Sequence, residues 1–199
     1  MSTNTYSNPG PWAVTAFSTT SFMLGIINAG IISGGCTPVV LDVAIFFGGI
    51  MQIIVAILEF MKGNTLTTTV FGTYGPFWLM FAMFELFFAK SIPPSSIGSA
   101  VSLFLAMFAV ITFYFFIASL KTDKVLVVIF ALVFIALVLL SVGAATGNKS
   151  LDVVAGWLIM IFAVLGWYHA AAAIINSTWG REVLGVGSLK PKQSSISAK

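Results

Sequence analysis

Between Gln52 and Trp78 the chain places side chains that can bind or carry charge among residues that are otherwise apolar. Gln52 and Glu59 are seven residues apart, two helical turns, and so share one helix face. Ala56 lies between them, and Gly48 and Gly49 come a turn earlier. A little further on, Thr65, Thr69 and Thr73 recur every four residues, interleaved with Thr67, Thr68 and Tyr74. Amides and hydroxyls in such a stripe can replace the water around a polar species, and a carboxylate at membrane depth points to function by default. Each feature also has a structural reading. Small residues let helices approach closely, Gln52 can bond across a helix contact, and each Thr can return its hydroxyl to the carbonyl four residues back. Glu59 can simply pair with Lys62 at i, i+3. Gly63, Gly72 and Gly75-Pro76 leave open whether the threonines sit on a continuous helix or a broken one. A half-helix N-terminus would offer free N–H groups to an anion.

Elsewhere reactive groups are sparse. Asp42 and Asp152 fall at the starts of apolar stretches, where a helix N-terminus favours negative charge, and read as caps. His169 has a side chain suited to titration near neutrality, but the sequence offers it no evident partner. Cys36 is alone, so there is no intrachain disulfide and no Cys/His cluster for a metal. No Ser-His-Asp set, HExxH or phosphate loop occurs. The expectation is a protein that is not an enzyme and holds no metal and no cofactor.

Composition says what must position these groups. The chain is 59% hydrophobic and 8% charged, with mean hydropathy +1.06, whereas a soluble domain carries about a quarter charged residues. The fold class is therefore an all-α membrane protein. Six spans, each near the ~20 residues that cross a bilayer, run over 12–32, 39–61, 70–89, 97–120, 125–145 and 151–175. Their breaks are the turn-forming or charged clusters SGGCTP, KGNT, KSIPPSS, KTDK and TGNKS. Short connections imply a compact bundle of neighbouring antiparallel helices. The organisation is a short N-terminal segment (1–8), a transmembrane domain (9–180) and a basic tail (181–199). Gly30 with Gly34, and Gly143 with Gly147, have the spacing of small-residue helix contacts.

An even number of spans puts both termini on one side. That side collects Lys62, Lys121, Lys124, Arg181, Lys190, Lys192 and Lys199, leaving Lys90 and Lys149 opposite. The basic excess marks it as cytoplasmic. Topology thus accounts for the net charge of +3, and no basic stripe interleaved with aromatics suggests nucleic acid.

Three blocks carry a resemblance. NPGPWAVTAF (Asn8 to Phe17), FFGGIMQIIVAILEFMKGNTLTTTVFGTYGPFW (Phe46 to Trp78) and GWYHAAAAIINSTWGREVLGVG (Gly166 to Gly187) are similar to the signature blocks of the acetate uptake transporter family. That family comprises bacterial succinate-acetate permeases with fungal and archaeal relatives, and the chain resembles the archaeal members most. The resemblance implies a six-helix protomer in the cell membrane, assembly as a homo-hexamer and an anion pathway through each protomer. It implies a constriction formed by Phe17, Tyr74 and Val133. The valine departs from the leucine common in relatives, and Gly10 and Trp12-Ala13 depart from their usual entry motif. A hydroxyl-and-amide lane interrupted by a greasy ring suits both ends of acetate. Candidate substrate-binding residues are then Asn28, Gln52, Asn64, Thr65, Thr69 and Tyr74, and Glu59 is the candidate for proton coupling. The expected function is transport of acetate and other small monocarboxylates or succinate, coupled to protons. The alternatives are a passive acetate-selective channel or a non-transporting structural or partner-binding membrane protein.

Overall fold

The computed structural model describes residues 7–189. Residues 1–6 of the expected N-terminal segment and 190–199 of the tail, with Lys190, Lys192 and Lys199, lie outside the described residues. Six long helices follow one another: α1 (Gly10–Asn28), α2 (Gly34–Met61), α3 (Thr65–Ser91), α4 (Ile97–Ser119), α5 (Lys124–Thr146) and α6 (Lys149–Trp179). Among the described residues the only β pairing is an isolated bridge between Asp123 and Ser188. α2 to α6 are long and apolar enough to cross a membrane. α1, with 19 residues, spans about 28 Å at 1.5 Å per residue, but Thr15, Ser18, Thr19, Thr20 and Ser21 lower its apolarity. Ser18 and Thr20 are fully buried. The helix can hold them because these two side chains face neighbouring helices rather than the outer surface of the bundle.

Local chemistry sets the boundaries. Asn8 Oδ1 accepts the Gly10 N–H at 3.1 Å and Pro11 occupies the first turn of α1. α2 ends at Lys62, and Gly63, at φ +73°, reverses the chain. Asn64 then starts α3, its Oδ1 accepting the Thr67 N–H. Asp123 caps α5 through the Leu126 N–H at 2.9 Å. The threonine stretch is therefore neither a continuation of the preceding helix nor a broken span. It opens a new helix, which runs through Pro76 without interruption. π-helical turns widen α2 at Ala44–Met51 and α3 at Phe84–Phe88.

Packed in the order α3, α2, α1, α6, α5, α4, the helices form a ring. It closes loosely, because the backbones of α3 and α4 touch little despite being sequence neighbours. Aromatic side chains bridge that seam: Phe77 meets Phe104 and Phe108 at centroid distances of 5.4 and 4.8 Å. The tightest seam is α1 on α6. A methyl added at Gly156 would collide with the backbone of Asn28 and Ala29, and one at Gly166 with Ser18. The expected glycine pairs play another part. Gly30, Gly34 and Gly147 have nothing within contact range of an added Cβ, and Gly30 and Gly147 have positive φ, so they make turns. Gly143 faces Asp152 across the α5–α6 turn.

Candidate functional site: two cavities that share a waist

Two cavities enter the ring from opposite ends. The smaller, about 290 Å³, opens toward the end that carries residues 7 and 189 and is lined by Asn8, Gln52, Glu59, Asn64, Thr67, Asp123 and His169 among others. The larger, about 580 Å³, opens toward the other end and is mostly walled by apolar groups such as Leu24, Phe81, Phe104 and Leu137, with Ser21, Asn28, Glu85 and Asp152 as its polar members. Phe17, Tyr74 and Val133 line both cavities, so these three side chains stand where the two meet.

The waist is held from behind. Phe17 lies 5.4 Å from Tyr74 and 5.6 Å from Phe162, stacked on the latter at 20°. Tyr74 is 4% exposed and Val133 5%, and Phe115 meets the Tyr74 ring edge-on at 5.9 Å. The Thr112 hydroxyl donates to the Phe108 carbonyl at 2.8 Å, which leaves the Tyr74 hydroxyl as donor in its 2.7 Å bond to Thr112. The phenol proton therefore points to α4 rather than into the lane. Removing it in Tyr74→Phe should cost about 1 kcal/mol, the net worth of one buried hydrogen bond, read as a lower melting temperature in detergent.

Gln52 and Glu59 are both fully buried and face the smaller cavity, as their shared helix face requires. Gln52 Nε2 donates to the Gly48 carbonyl at 2.7 Å inside the widened turn, and its Oε1 has no protein partner. Glu59 Oε1 pairs with Lys62 Nζ at 3.1 Å, its Oε2 accepts from the Thr67 hydroxyl, and Lys62 also reaches Asn8 Oδ1 at 3.3 Å. The carboxylate is thus tied to both ends of the turn between α2 and α3.

The remaining candidates divide. Asn64 lines the smaller cavity and Asn28 the larger. Thr65 and Thr69 are exposed and line neither, and the Thr69 hydroxyl returns to the Thr65 carbonyl at 2.8 Å. Restarting the helix at Asn64 turns Thr67, Val70, Phe71, Tyr74 and Trp78 inward, at helical spacing, and leaves 65 and 69 on another face. Sequence reasoning missed Thr67, Thr112 and Phe162. The first was visible as a member of the threonine run, whereas the other two lie on distant helices with no local signal. It also missed the partner of His169, whose Nε2 lies 3.1 Å from Asp123 Oδ2. Burial pushes the Asp123 carboxyl up. The His169 ring and the N–H groups of Leu126 and Val125 outweigh that and hold it below the usual carboxylate range. Among the described residues no Lys or Arg lines either cavity.

A helical membrane bundle with an interior lane of this kind has the build of a transporter or channel, not of an enzyme. The chain belongs to the GPR1/FUN34/yaaH family, whose profile it matches over residues 1–183. It is 30% identical to the succinate-acetate/proton symporter SatP of Escherichia coli strain K12 over 94% of this chain and 98% of that protein. It is also 30% identical to the ammonia transport outward protein 2 of Saccharomyces cerevisiae, over 85% of this chain and 62% of that one. Among solved structures, that of the bacterial acetate channel SatP superposes with a TM-score of 0.86 at 31% identity, covering 92% of this chain and 99% of the other.

Proposed function

We propose that the chain carries acetate and other small monocarboxylates or succinate across a cell membrane, through a lane inside each protomer whose waist is Phe17, Tyr74 and Val133. The observation that carries this reading is that these three residues line both cavities. Gln52 and Asn64 in the smaller cavity and Asn28 in the larger supply neutral hydrogen-bond donors. A carboxylate that has shed water can exchange quickly among such groups, whereas a fixed Lys or Arg would hold it. The names of the bacterial relatives support acetate and succinate as the substrate class. With six spans both termini fall on one side, and the positive charge gathered there supports that side as the cytoplasmic one: Lys62, Lys121, Lys124 and Arg181 there, Lys90 and Lys149 at the other. Homo-hexameric assembly is the expectation that the family resemblance carries, and mass measurement of the detergent-solubilised protein tests it.

Proton coupling is assigned to Glu59, the buried carboxylate on the smaller cavity. Its clamp by Lys62 and Thr67 favours a second reading, a passive acetate channel in which Glu59 only fixes the α2–α3 turn. Radiolabelled acetate uptake into liposomes reconstituted with purified protein tests transport itself, and absence of protein-dependent flux sinks it. Glu59→Gln separates the two readings. A proton carrier loses uphill, pH-driven uptake and keeps downhill exchange, while a structural carboxylate loses both together.

A further inference from the structure

The mouth of the smaller cavity has a part that the lane itself does not require. After α6 the chain turns back along the bundle: Asn176 Oδ1 accepts the N–H groups of Val183 and Leu184 at 2.7 and 3.0 Å, and Asn176 Nδ2 donates to the Leu184 carbonyl at 2.8 Å. The Tyr168 hydroxyl donates to the Gly185 carbonyl at 2.7 Å. The strand then fastens to the α4–α5 turn. Lys124 N–H donates to the Gly187 carbonyl at 2.9 Å, Leu189 N–H donates to the Thr122 carbonyl at 2.8 Å, and Asp123 bridges Ser188. Gly187, at φ +71°, lies against the Lys124 stem. Residues 181–189 are thus a strap on the α4–α5 turn, which itself lines the mouth.

The strapped turn contributes Thr122 and Asp123 to the cavity wall, and α6 contributes His169 and Ala173. The side-chain bond that ties turn to helix directly is His169 Nε2 to Asp123 Oδ2. Among the described residues, the other charges near this end are accounted for. α1 and α4 carry no acidic or basic side chain, and α3 has none before Glu85. α2 brings Glu59 and Lys62, which pair with each other. α5 brings Lys124, packed under the strap, and the turn adds Lys121. The strap adds Glu182 and Arg181, the latter 5.7 Å over the Trp179 ring. On α6 the remaining acidic and basic groups, Lys149 and Asp152, stand at the far end. Asp123 is held below the usual carboxylate range by its partners, and imidazole is the side-chain type whose charge answers to pH between about 5 and 8.

We infer that His169 and Asp123 form a pH-operated latch on this mouth: protonation of the imidazole converts its hydrogen bond to the Asp123 carboxylate into an ion pair that pins the strapped turn against α6 and narrows the entrance. Deprotonation weakens the bond and leaves the turn held to α6 mainly through the strap. The inference rests on the transport reading for its consequence, a flux throttled when the side bearing the termini turns acidic. An uptake route for carboxylic acids would then slow as its own cargo acidified the interior.

The test uses two readouts on wild type, His169→Gln and Asp123→Asn, an exchange that keeps a side-chain oxygen to cap α5. The first is exchange of labelled acetate in proteoliposomes at equal pH on both sides, from 7.5 down to 5.5, with leak through protein-free vesicles subtracted. Wild-type exchange should fall several-fold as pH drops, and both variants should lose that dependence. The second, which needs no flux, is hydrogen exchange at the Lys124 and Leu189 amides, corrected for the intrinsic pH effect. Protection should rise on acidification in wild type and stay level in the variants. Wild-type and His169→Gln profiles that coincide in both readouts overturn the latch while leaving transport intact. His169-dependent protection without any acetate exchange sustains the latch and defeats the transport reading.

Discussion

Replacing Phe17 by alanine should raise the succinate-to-acetate flux ratio by about tenfold or more on the proposed transport reading. Phe17 is the waist residue contributed by α1, it lines both cavities, and it is braced by Phe162 and Tyr74 at 5.6 and 5.4 Å. Truncating it removes a ring where the two cavities meet, so on the proposed reading a longer dicarboxylate should meet less steric and dewetting cost. The stability cost should stay under the 3–5 kcal/mol of a fully packed Phe→Ala site, because one face of the ring already borders open volume. Competition between labelled acetate and succinate in proteoliposomes reads the ratio. Unchanged selectivity in a well-folded Phe17→Ala protein rules out the waist as the size filter.

The largest effect on folding should come from Gly156→Leu. An added Cβ there already collides with the α1 backbone at Asn28 and Ala29, which has no rotamer to change. α1 would have to lift from α6 along the tightest seam of the ring, carrying with it Gly25, which packs against Ile159 and Met160. We expect little monodisperse protein in detergent by size-exclusion chromatography. Gly147→Leu, by comparison, meets no neighbour and strains only a left-handed turn. It should fold with a cost of about 1–2 kcal/mol.

What the sequence made legible follows the physics of short range. Apolar runs and their breaks placed the helices within a few residues of where they lie, because the bilayer dictates length and charged or turn-forming clusters dictate ends. Gln52 and Glu59 reached the same cavity because two turns of one helix fix their azimuth. The threonine stripe went astray for the complementary reason. Asn64 and Gly63 restart the helix, so the residues that face inward are counted from a new origin and Thr67 takes the place expected for Thr65 and Thr69. Contacts between helices were out of reach without the fold. Thr112 behind Tyr74, Phe162 behind Phe17 and Asp123 beside His169 each join positions dozens of residues apart. The seam between α3 and α4, neighbours in sequence, proved the loosest in the ring.

The commitment of the Tyr74 proton to Thr112 bears on the idle protein. With that donor turned away, a file of solvent molecules finds no free hydroxyl proton at the rings to carry it from one vestibule to the other. On the proposed transport reading, a bilayer holding the protein should therefore stay electrically insulating while idle, even though openings of about 290 and 580 Å³ approach each other from opposite ends.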